Sequence, residues 1–199
     1  MSTQKLAVAM IWMAAAAACP GGQDRLTVAL YDYSGTPRWV LLSAAKEARG
    51  ALRTAGVESE WILCPDCVLP APDTYAVVKI VRTRRGVAPE GSEALGRAAP
   101  SPAAQRCGTS WVFYRPVQAF AESTGQPVDL VLGYVMVHEI GHLMGLGHNT
   151  SGVMKAGLKK RDLVDGSGLR FPAHDAQKIR ATVATWTAQT TAAGAPEGR

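Results

Sequence analysis

The sequence predicts an α+β domain, and three observations carry that reading. Short β-rich apolar runs recur in the first half of the chain, and helical apolar spacing appears between and after them. One long segment, Val128 to Met144, is apolar on almost every face. With 199 residues, 47% of them hydrophobic, the chain can bury a sizeable core in one domain.

The elements follow in chain order. Leu26 to Tyr31 reads as a first strand. Trp39 to Ala55 reads as an amphipathic helix, because Val40, Leu41, Ala44, Ala48, Ala51 and Leu52 recur at helical spacing, and Gly56 ends it. Val57 to Leu63 and Tyr75 to Val81 are the next two strands. Arg84 to Gln105 is rich in Gly, Pro and Ala, has little periodicity, and reads as a long loop. Trp111 to Tyr114 resumes as a strand. Val128 to Met144 is expected to be a helix buried in the core, broken by Gly145 and Gly147. A final helix is read over Pro172 to Thr187, with Pro172 in its first turn and Ile179, Val183 and Trp186 facing inward. His174 and Asp175 at its start read as surface or capping residues, and residues 190–199 as a disordered tail.

At the other end, one lysine precedes the apolar run Leu6 to Ala18, and small residues lead to Cys19. That pattern reads as a signal peptide over residues 1–19, too short for the roughly 20 apolar residues that span a bilayer. It leaves a domain over residues 20–189. Cys19 also admits lipid attachment after cleavage, although Ala16 stands where a lipobox favours Leu. The expectation is an exported monomer, secreted or periplasmic, that touches a membrane only if Cys19 is lipidated. Disulfides are the default use of cysteine in that setting, and a bridge from either Cys64 or Cys67 to Cys107 is expected. The net charge of +5 falls in two scattered clusters, around Arg84 and Lys159, without interleaved aromatics. Nucleic-acid binding is therefore not expected.

Three of the four histidines lie between residues 138 and 148. On a helix, His138 and His142 are one turn apart and point the same way, so two imidazoles can hold one metal ion. Glu139 is rotated by about 100° from His138 and sits beside the ion, where a general base for water belongs. Tetrahedral zinc is then one protein ligand short. Gly145 can adopt the left-handed conformation that ends a helix and reverses the chain, returning His148 as the third ligand. Requiring that Gly and that His makes chance occurrence about a thousandfold rarer than for a bare His-Glu-x-x-His.

His138, Glu139, His142, Gly145 and His148 together resemble the metzincin signature, and Ser151-Gly152-Val153-Met154 resembles the methionine turn of that superfamily. The resemblance implies a zincin-like (metzincin) fold: a mixed twisted sheet with an active-site helix and a C-terminal helix. It implies one catalytic Zn2+ on His138, His142 and His148, with Met154 as an apolar base beneath the imidazoles. It further implies that Trp111, Val112, Phe113 and Tyr114 form the edge strand to which an extended peptide or protein substrate adds. The implied activity is that of a zinc endopeptidase with Glu139 as general base and a side-chain pocket near Tyr134, His138 and the segment after Met154. Two features depart from better-known metzincins. Only five residues separate His148 from Met154, and no Tyr follows the turn to act as a further ligand. Two other classes use the same residues, a non-catalytic zinc-binding secreted protein and a zinc hydrolase of a cell-wall or other non-protein amide.

Overall fold

The computed structural model describes residues 25–64, 75–87, 93–100, 108–164 and 170–193, with no side-chain detail for Tyr75 and residues 189–193. The expected signal segment, Cys19, Cys67, Cys107 and the last six residues lie outside the described residues. Strand β1 (Arg25–Tyr33) leads into helix α1 (Arg38–Thr54), followed by β2 (Glu58–Leu63), β3 (Tyr75–Val81), β4 (Gly96–Pro100) and β5 (Gly108–Phe113). Four helices complete the order: α2 (Tyr114–Thr124), α3 (Val128–Leu143), the short α4 (Lys160–Val164) and α5 (Ala173–Ala193).

The strands form one mixed sheet in the order β2-β1-β3-β5-β4, parallel except for β4, which runs antiparallel to β5 at the edge. Side chains alternate between the faces of a strand. Leu26, Val28 and Leu30 of β1, Ala76, Val78 and Ile80 of β3, and Val112 of β5 therefore share one face, and all are essentially buried. Helices α1 and α3 pack there. The stripe Val40, Leu41, Ala44, Ala48, Ala51 and Leu52 is the buried side of α1. Its alanines let α3 come close: a methyl group at Gly133 would lie 2.7 Å from the Ala44 carbonyl oxygen. Ser43 also donates a hydrogen bond to Asp129 across the pair.

Glycine ends both helices through left-handed conformations, Gly56 after α1 at φ 82° and Gly145 after α3 at φ 77°. After α3 the Leu146 N–H reaches back to the Gly141 carbonyl at 3.0 Å, closing the turn that redirects the chain. Helix α5 adds cations to the same ends, where unpaired carbonyls collect. Arg180 donates to the Ala55 carbonyl at 2.7 Å and Lys178 donates to that of Gly145.

Three expectations are corrected. The stretch read as a loop from Arg84 contains β4, whose residues Gly96-Arg97-Ala98-Ala99-Pro100 have little strand preference of their own and are ordered by pairing with β5. Tyr114 is not the end of a strand but the start of α2. Pro116 fits in that first turn because no N–H is needed there. Helix α5 continues to Ala193, past residue 190, where the tail was expected to begin. Cys64, at the end of β2, is buried and disulfide-bonded.

Candidate metal centre and its cleft

Helix α3 is buried on nearly all sides, so each polar ring on it must find a partner. His138 Nδ1 lies 2.7 Å from the carbonyl oxygen of Val153, and His142 Nδ1 lies 2.9 Å from that of Leu146. A carbonyl only accepts, so both rings carry their proton on Nδ1 and present a bare Nε2. Burial pulls His138 down to about 4 and also lowers His142, in each case against the opposing pull of the carbonyl. Both imidazoles are thus neutral at neutral pH, the form that binds a metal.

The bare nitrogens converge. His142 Nε2 is 3.1 Å from His138 Nε2 and 3.2 Å from His148 Nε2, and all three ligand atoms lie within 4.8 Å of one another. Lone pairs facing each other at that range repel unless a cation stands between them. Tetrahedral zinc, with Zn–N bonds of about 2.0–2.1 Å, sets neighbouring nitrogens about 3.3 Å apart. The donor set fits zinc.

Met154 is fully buried beneath this centre. A methyl group at Gly141 would collide with its Sδ and approach its Cε to 3.1 Å. The thioether therefore lies against the turn of α3 between the two helical histidines, which requires glycine there. Tyr134, one turn before His138, has its ring centroid 6.2 Å from that imidazole and donates from its hydroxyl to the Gly152 carbonyl. Burial, then Asp162, push this hydroxyl well above its ordinary pKa, so it remains a donor.

Glu139 is 5% exposed, and burial pushes it up to about 8. Among the described residues no donor or cation pairs with it. Its side chain rests against the edge strand: a methyl group at Gly96 would lie 2.6 Å from Oε1. Glu139, the three histidines, Tyr134 and the segment Lys155 to Leu158 line one cleft of about 840 Å³, roofed by residues 93–98 of the β4 region. The wall after Met154 is pinned by Lys155, whose ammonium bonds both carboxylate oxygens of Asp162 at 2.7 and 2.9 Å.

Two assignments change. Trp111, Val112 and Phe113 cannot be the free edge, because β5 is paired on both sides and β4 covers it. The strand that faces the centre is β4, and no sequence signal marks Gly96 as the residue against Glu139. Asp175, expected at the surface or as a cap, is 4% exposed and accepts a hydrogen bond from the Asn149 side chain, whereas His174 beside it is exposed. A helix-start aspartate looks the same in sequence whether it faces solvent or a neighbouring loop.

A sequence model of the family described as zincin-like metallopeptidase matches residues 90–151, from the approach to β4 to just past the third histidine. No curated protein matches the chain. Among solved structures, archaemetzincin from Methanopyrus kandleri superposes with a TM-score of 0.52 at 13% identity, covering 83% of this chain and 99% of that one. The GM1-bound form of the ECX AB5 holotoxin, also 13% identical and covering 80% of each chain, reaches a TM-score of 0.43, too slight a likeness to bear on the fold. The fold built around α3 is thus zincin-like, and the stretch that carries the motif is similar to the zincin-like metallopeptidase family.

Proposed function

We propose that the chain is a zinc-dependent endopeptidase with one metal ion, in which Glu139 is the general base. The observation that carries this reading is the position of Glu139. It is a buried carboxylate next in sequence to one zinc donor, facing the same cleft as all three histidines and lying against an edge strand.

Bound zinc would supply Lewis acidity toward a carbonyl oxygen and toward water. The remaining work falls to the chain's own residues. Val153 and Leu146 hold two imidazoles in the donor tautomer through their carbonyls. Glu139, facing the cleft beside the three donors, can take a proton on a carboxylate oxygen and release it to a leaving amine. The outer edge of β4 offers backbone donors and acceptors to an extended peptide, a mode of binding that is indifferent to side-chain identity. An activity outside the cytoplasm is part of the proposal, and the leader-like pattern of residues 1–19 supports it.

The test pairs metal analysis with cleavage of a peptide library by the wild-type chain and by Glu139→Gln. Stoichiometric zinc in both proteins is expected, with cleavage by the variant reduced about 10²–10⁴-fold, the usual contribution of a general base. Zinc binding without any cleavage by the wild type would leave a non-catalytic zinc protein or a hydrolase of another amide. Equal cleavage by the variant would remove Glu139 from the reaction.

A further inference from the structure

The three donors are held unequally. His138 and His142 share one buried helix, and a backbone carbonyl fixes each ring. His148 is exposed and lies beyond the helix. Among the described residues its ring has hydrogen-bonding proximity only to His142. Its place must therefore come from the backbone of residues 145–149.

That loop is gripped at both ends by one helix. Lys178 of α5 donates to the Gly145 carbonyl, just before the loop turns. Three residues earlier on α5, and so on the same face, Asp175 accepts from the Asn149 side-chain amide, immediately after His148. Asp175 is buried, and its other neighbour is the ring of exposed His174 at 3.4 Å. A carboxylate withdrawn from water needs such a partner, and losing the bond is costly to local order. The Asn149 N–H also donates to the Met154 carbonyl at 2.7 Å. One residue beside the third donor thus joins the loop, the methionine turn and α5.

We propose that α5 sets the position of the third zinc donor, with Asp175 and Lys178 as positioning residues for His148. The inference rests on the zinc reading of the centre and adds to it a long-range support from the C-terminal helix. Removing that support leaves two well-fixed imidazoles and a third that wanders. Hydrogen-bond partners standing behind metal ligands typically govern affinity by about 10–100-fold.

The experiment measures zinc affinity of the full chain by competition with a chromophoric chelator, alongside the thermal midpoint of the metal-free protein. Asp175→Ala should weaken zinc binding about 10–100-fold. Asp175→Asn keeps an oxygen that can accept from Asn149 and should stay within a few-fold of wild type. Arg180→Met cuts the contact of α5 with the Ala55 carbonyl, away from the loop, and should lower the midpoint without changing zinc affinity. Lys178 is exposed, so Lys178→Met reads the other grip even if Asp175→Ala does not fold, and a several-fold loss is expected. Wild-type affinity in Lys178→Met or Asp175→Ala would overturn the proposal. So would equal losses in Asp175→Ala and Asp175→Asn, or an Arg180→Met loss as large as that of Asp175→Ala. A wild-type chain that binds no zinc would sink the metal reading itself, which separates the two failures.

Discussion

Replacing Gly96 by alanine puts a methyl group where Glu139 stands. The new carbon would lie 2.6 Å from Oε1, 2.7 Å from Cγ and 2.8 Å from Cδ, whereas ordinary contact begins at 3.4 Å. The two groups must separate by about 0.6–0.8 Å. Gly96 has no positive φ, so the strand accepts alanine, and leaving glycine behind favours the fold by about 0.5–1 kcal/mol. The strain falls on the glutamate, because Cγ is tied to the buried helix α3 while the carboxylate can rotate aside. A misplacement approaching 1 Å costs about 10²-fold in rate, equivalent to about 2.7 kcal/mol of barrier. Gly96→Ala should therefore lower kcat on a peptide substrate by about 30–100-fold, with zinc content and thermal midpoint close to wild type. A folded, zinc-loaded variant that keeps its kcat within twofold would refute the view that Glu139 works from its place against β4.

Three further outcomes follow from the same geometry. Gly141→Ala should destabilise the fold by about 1–3 kcal/mol through overpacking against Met154, despite a gain of about 1 kcal/mol in helix propensity; an unchanged urea midpoint would contradict the packing described. Burial alone would raise the Asp162 carboxyl, but hydrogen bonds from Lys155 and the Lys159 N–H, with the charges of Lys155 and Arg161, hold it below the usual range. Its contribution is therefore complete above the unfolded carboxylate value and is lost as pH falls through the lower folded one. The midpoint gap between wild type and Asp162→Asn should be wide at neutral pH and close below about pH 4; a gap that widens on acidification would show the sign to be wrong. Stripping zinc with a chelator should lower the thermal midpoint, since a ligand at 100 times its Kd stabilises by about 2.7 kcal/mol; an unmoved midpoint would argue against a metal bound by the folded chain.

The centre is legible in the sequence because helix pitch and one glycine turn decide how His138, Glu139, His142 and His148 relate within a few turns of chain. Strand β3, Tyr75–Val81, is equally plain from its β-branched run. What the sequence hides is settled by neighbours. Gly96 to Pro100 becomes a strand only because β5 presents an edge, and once it does, Trp111 to Phe113 is an interior strand. Being an edge is a property of the sheet, not of the segment that forms it. Asp175 is hidden for a similar reason, since its burial depends on Asn149 arriving from another part of the fold.

The carbonyls that aim the two helical imidazoles come from unusually near in the chain. His138 reaches Val153 across 15 residues and His142 reaches Leu146 across four, so closing these loops costs little entropy. Gly96 and Glu139 meet across more than forty residues, and the parallel strands pair only through long crossovers. In contact-order terms, the chain carries a local pair of donors, His138 and His142, inside a non-local fold. The aim of the two helical imidazoles is then set within the motif, while the third donor and the surrounding cleft depend on partners brought from far along the chain.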